Sequence, residues 1–171
     1  MRQPNLCPAL PSSVRRCRPA PSGLESIRRE IMPHTGHTAE EAVAQYFAAL
    51  GPTADHFWAS FDKYFDEQTV WENVGLARTV GRDEAVAFAR AFPVPFDHMR
   101  VDDVLMSSSS NKVLTGRVDH FCAADGTPLL TIRVAGVLEI ADGRLIHWRD
   151  YFDTAKLHAD LEKLLTADNI S

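Results

Sequence analysis

The chain has 171 residues, 45% of them hydrophobic and 24% charged, with a formal net charge of −5. That is about one domain's length, with enough apolar material for a single core, and no apolar run approaches the ~18 residues of a membrane-spanning helix. The charge is uneven: residues 1–31 hold six arginines against Glu25 and Glu30, whereas the rest of the chain carries 12 basic and 21 acidic side chains. An acidic body repels a phosphate backbone, so nucleic acid is not an expected partner, and neither is a membrane.

Residues 1–31 contain five of the ten prolines and little apolar periodicity. Such a stretch buries too little surface to offset its ordering entropy, and it lacks the apolar h-region of a secretory signal. Residues 1–36 are therefore expected to form a disordered leader, and an over-extended gene start with Met32 as the first residue is one reading of it. The folded domain is expected over 37–171. Cys7 and Cys17 fall in the leader and Cys122 stands alone in a strand-like run, which suggests neither a disulfide framework nor a metal-ligand spacing and fits a reducing, cytoplasmic setting.

Thr38-Ala-Glu-Glu41 has the spacing of a capping box, and Val43, Tyr46, Phe47 and Leu50 follow at helical intervals until Gly51-Pro52. A second helix is expected over 53–64, presenting Phe57, Trp58 and Phe61 to the core. A strand over 68–74 follows, then a third helix opening at Gly81, carrying Val86, Phe88, Ala89 and Phe92 and ending at Pro93. The period then changes from 3.6 to 2. Residues 99–106, 112–123, 129–140 and 145–152 read as strands, with 107–111 as a polar loop and hairpin turns at Asp125-Gly126 and Asp142-Gly143. Residues 154–165 form a closing helix. Helices followed by consecutive antiparallel strands define an α+β fold, whose curved sheet would wrap the helices around a deep apolar pocket.

Strand parity adds a chemical signal. Side chains at i and i+2 share a face, so Arg117 and Asp119 join Val113, Thr115 and Phe121. Asp150 joins Ile146, Trp148 and Phe152, and Asn73 joins Trp71 and Thr69. Charges on such faces are expensive to bury unless paired. One guanidinium between two carboxylates neutralises only one comfortably, so the resting state keeps one aspartate ionised and one protonated. That is a general base beside a general acid. The same residues could equally be a buried network that only specifies the core, or could face solvent.

Trp148-Arg-Asp-Tyr-Phe-Asp153, preceded by the Gly136–Gly143 hairpin, resembles the C-terminal signature of limonene epoxide hydrolase-like proteins. Arg117-Val-Asp119 matches their Arg-x-Asp pair, and Trp71-Glu-Asn73 followed by Gly81-Arg matches their aromatic-x-Asn segment. These proteins belong to the nuclear transport factor 2-like (SnoaL-like) superfamily, which implies a curved, mostly antiparallel sheet wrapping N-terminal helices in a cone. The resemblance covers roughly residues 38–165. It implies hydrolysis of a small apolar epoxide to a vicinal diol in one step, without metal or cofactor, by a protein that dimerises with itself through its outer sheet face. By the same resemblance Asp150 is the general base on water, Asn73 helps hold that water, Asp119 protonates the epoxide oxygen and Arg117 bridges the two acids. Trp71 and Trp148 would position substrate or water. The family usually has a tyrosine where this chain has Trp71, and an indole donates a hydrogen bond but cannot accept one.

Two other readings stay open at this level: an isomerase, cyclase or dehydratase on the same fold, and a non-catalytic ligand-binding or dimerisation module. His120 and His147 lie opposite Asp119 and Asp150 by parity, as do Arg149 and Tyr151, and none is expected in the chemistry.

Overall fold

A computed structural model describes residues 38–168 of the chain, so the expected leader, Met32, Cys7 and Cys17 lie outside the described residues. Thr38 opens α1 (Ala39–Ala49) with a complete capping box: its Oγ1 accepts from Glu41 N at 3.2 Å, and Glu41 Oε2 accepts from Thr38 N at 2.8 Å. Thr53 caps α2 (Ala54–Tyr64) with its side-chain oxygen alone, which accepts from His56 N at 3.4 Å. These helices bury Tyr46, Phe47, Phe57, Phe61 and Tyr64.

The sheet has six strands in the order β2-β1-β6-β5-β4-β3. They are β1 (Val70–Asn73), β2 (Ala77–Val80), β3 (His98–Ser109), β4 (Lys112–Cys122), β5 (Pro128–Ala141) and β6 (Arg144–Tyr151), with α3 (Arg82–Arg90) after β2 and α4 (Thr154–Asp168) after β6. All pairings are antiparallel except β1 on β6, which is parallel. The expected α+β class and curved, mostly antiparallel sheet are present, with α1 and α2 against its inner face. Asp142 and Gly143 both take positive φ (51° and 74°), the signature of the tight turn expected of Asp-Gly between β5 and β6.

Four expectations need correction. Residues 107–109 are not loop but the end of β3, which pairs with β4 through Ser109↔Lys112 and leaves only Ser110-Asn111 to turn. The strand expected over 68–74 shrinks to Val70–Asn73, because Asp66 Oδ1 accepts from the amides of Gln68 and Thr69 and makes a turn there. The third helix stops at Arg90, so Phe92 lies beyond it. Finally, Ile146 does not share the inner face with Asp150. A register shift between Glu139 and Ile140 puts two residues between inward Leu145 (1% exposed) and inward Trp148 (3%), and Ile146 turns outward at 44%. A β-bulge inverts parity on one side of it. The edge strand β2 carried no sequence signal, since Ala77-Arg-Thr-Val80 buries only Thr79. Among the described residues no helix is long and apolar enough to cross a membrane.

Candidate active site

Register brings the polar residues together. Across the inner face, Thr115 of β4, Gly136 of β5 and Asp150 of β6 are consecutive partners, and parallel pairing adds Asn73 of β1 beside Asp150. Arg117 stands two residues along β4, where its side chain bends over Gly136 to reach Asp150. Its Nη2 donates to Asp150 Oδ2 at 2.7 Å and to Asp119 Oδ2 at 3.1 Å; Nε donates to Asp119 Oδ1 at 2.9 Å. Nη1 donates to Thr115 Oγ1 at 3.0 Å. The guanidinium carbon lies 5.0 Å from the Phe47 ring centroid, close enough for a cation–π attraction.

All three charged groups are buried: Arg117 is 4% exposed, Asp119 5% and Asp150 3%. Desolvation raises Asp119 to about 6, against the opposing pull of Arg117. Desolvation also raises Asp150, with Arg117 and more weakly the Trp148 indole opposing it. Burial disfavours the Arg117 cation, yet the charges of Asp150 and Asp119 outweigh that and hold it firmly protonated. Both acids therefore sit above the ordinary carboxylate range, and one cation shared by two dry carboxylates favours a single proton between them.

Asp119, Asp150 and Asn73 line a cavity with about 60 Å³ of free interior, room for a few waters at ~10–15 Å³ each. The remaining wall is apolar, with Phe57, Trp71, Phe88, Phe92, Phe96 and Phe121 prominent. Trp148 also lines it and stacks parallel on Trp71, centroids 4.8 Å apart at 9°. All six residues singled out in the sequence thus converge: five line the cavity and Arg117 ties two of them together from behind. The excluded residues stay outside: Arg149 Nε donates to Glu72 at 2.8 Å, His120 pairs with Thr131, and Tyr151 is 44% exposed. No three His, Cys, Asp or Glu side chains group as metal ligands among the described residues.

Sequence reasoning missed Gly136. A Cβ there would stand 2.5 Å from Arg117 Nη1, 2.7 Å from Asp150 Oδ1 and 2.8 Å from Thr115 Oγ1. The glycine is needed for space, since the three side chains meet over its Cα. A glycine inside a strand was the available signal.

This fold is that of nuclear transport factor 2-like proteins: a SnoaL-like protein from Shewanella denitrificans matches it with a TM-score of 0.58, covering 73% of this chain and 97% of that one at 16% identity. The chain belongs to the limonene-1,2-epoxide hydrolase catalytic domain family, which matches residues 38–163. The chain is 29% identical over 126 residues to the epoxide hydrolase EphG of Mycobacterium tuberculosis, covering 70% of this chain and 78% of that protein. The structure of an LEH-like epoxide hydrolase from M. tuberculosis matches at 29% identity with a TM-score of 0.57, covering 75% of this chain and 88% of that one. Family and fold support an epoxide hydrolase-like enzyme.

Two outcomes follow from this geometry. Gly136→Ala is expected to displace Arg117 and Asp150 and to lower the melting temperature by several degrees, an overpacking cost of about 1–3 kcal/mol; an unchanged melting temperature would show that the site gives way freely. The pH dependence has a definite sign. Asp119 binds its proton more tightly folded (about 6) than unfolded (3.8), so its contribution is intact below about pH 4 and is lost as pH rises through 6. Wild-type stability should fall across that window relative to Asp119→Asn, by on the order of 1–3 kcal/mol; parallel pH–stability curves would contradict the raised carboxyl.

Proposed function

We propose that this protein hydrolyses a small apolar epoxide to a vicinal diol by concerted acid–base catalysis. The observation that carries the reading is Arg117 hydrogen-bonded to both Asp119 and Asp150, two acids that line an aromatic-walled cavity. On this reading the reacting state has Asp150 ionised and Asp119 holding the shared proton. Asp150 takes a proton from a water held with Asn73 as the water oxygen attacks one ring carbon. The C–O bond breaks and Asp119 gives its proton to the departing oxygen. The product contains the epoxide plus one water, Asp150 ends protonated and Asp119 ionised, and a proton passing between them restores the start. Push and pull together avoid both a free alkoxide and a free carbocation, and each well-placed group contributes about 10²–10⁴-fold.

Trp71 fits this scheme as a donor or as wall. Its indole N–H can point to the water oxygen without competing for the water's protons, which go to Asp150 and the Asn73 carbonyl. The apolar wall selects an apolar substrate and excludes bulk water, which strengthens the dyad's electrostatics.

Incubation with styrene oxide or limonene oxide in ¹⁸O-water tests the proposal. A diol carrying one label is expected, and Asp150→Asn should abolish it while leaving the melting temperature nearly unchanged. Absence of diol with both epoxides, alongside proton exchange at a ketone α-carbon, would move the assignment to an isomerase-type reaction on this fold.

The protein further works as a cytoplasmic homodimer on this reading. A free, buried Cys122 accords with a reducing compartment. The outer sheet face exposes Leu105 (76%), Leu114 (54%) and Tyr151 (44%), an apolar set of the kind that marks an interface. Leu105→Asp is expected to convert dimer to monomer in analytical ultracentrifugation; a wild-type monomer at micromolar concentration would dismiss the dimer.

A further inference from the structure

Among the described residues that line the cavity, Leu76 alone is exposed, at 40%; the others are buried or half-buried. An exposed leucine is ordinary by itself. One that also lines an internal cavity marks the place where that cavity meets solvent. Leu76 lies in the short turn between β1 and β2, and its amide donates to Asn73 O at 2.9 Å. The amide of Val74, in the same turn, donates to Asp150 O at 2.9 Å. The lip of the cavity is thus pinned by its backbone to the two strand ends that carry Asn73 and Asp150.

The first and last residues of such a turn stand within about 7 Å of one another. Solvent therefore begins about one turn away from the Asn73–Asp150 register pair. The aromatic part of the wall is closed instead by rings in contact. Phe92 stacks on Phe121 with centroids 4.8 Å apart, Phe96 meets Phe121 at 5.0 Å and Phe57 meets Phe96 at 5.1 Å. The free interior of about 60 Å³ takes roughly 4–6 waters at 10–15 Å³ each, a volume that an oxirane and a few carbons fill. A longer molecule has to leave the cavity, and Leu76 stands where it can.

We propose that the preferred substrates are elongated terminal epoxides, with the oxirane at the Asp119–Asp150 pair and an unbranched apolar tail that passes over Leu76 into solvent, making Leu76 a specificity-determining residue. The first carbons of the tail are enclosed, and each adds about fourfold in affinity, the worth of one buried CH₂. Carbons beyond the lip stay wet and add little. The identity of the reacting head rests on the hydrolase reading; the mouth and its lip do not.

The experiment is calorimetric binding of product-like vicinal diols, from butane-1,2-diol to decane-1,2-diol, to the wild-type chain, Leu76→Asp and Leu76→Ala. No turnover is needed. In the wild type, affinity is expected to rise about fourfold per carbon over the first members and then level off without falling. Leu76→Asp, which sets a charge beside the departing tail, should lower the decanediol-to-butanediol affinity ratio by about tenfold. Leu76→Ala should lower it by less, and it carries the test should Leu76→Asp fail to fold. The KM ratio of the matching terminal epoxides should move with the affinity ratio, and their kcat ratio should not. A sharp loss of affinity beyond some chain length would show a sealed cavity and overturn the proposal. An unmoved ratio in the folded variants, or no binding by any diol, would overturn it too. Diol formation with an unmoved ratio sinks this inference alone; a moved ratio without diol formation sinks only the hydrolase reading.

Discussion

The geometry of the candidate site depends on one guanidinium shared by two buried carboxylates. Arg117, Asp119 and Asp150 are each at most 5% exposed, so their hydration has been given up almost entirely. A buried ion network of this kind is weak support for stability, because desolvation commonly offsets or exceeds the attraction within it. The surrounding apolar core must carry that cost, and it is extensive: Val43, Tyr46, Leu138 and Trp148 belong to one continuous cluster beneath α1 and α2. The network also lies at a cavity rather than sealed in the core.

The same burial that makes the network costly makes it useful. In a water-poor, aromatic-walled space, a single positive charge cannot hold two negative ones, and the surplus is resolved by a proton. The two aspartates become unlike without differing chemically; their hydrogen bonds make the difference. Arg117 reaches Asp119 with two bonds and Asp150 with one. The Trp71–Trp148 stack lies beside the Asn73–Asp150 register pair.

Much of this was legible in the chain. The capping box at Thr38 and the Asp142-Gly143 turn depend on contacts within a few residues, and both are present. The inward faces of β1 and β4 followed from alternation alone, which placed Asn73, Trp71, Arg117 and Asp119 correctly. Alternation failed at Ile146, where an extra residue in β6 reversed the count. It was silent on β2, a four-residue edge strand with one buried side chain. Gly136 was visible as a residue, but its reason was not: the crowding above it involves Thr115, Arg117 and Asp150, which come from two other strands.

Which residue types face inward was readable from the chain, because side-chain direction in a strand is a local, period-two property, and a few short motifs carried the family signature. That these faces meet is a consequence of how distant segments pack. The order of strands, the parallel pairing of β1 with β6 and the gap over Gly136 are relations between segments dozens of residues apart. A proton divided between two acids is a property of distances and dielectric, and neither is written in any single stretch of chain.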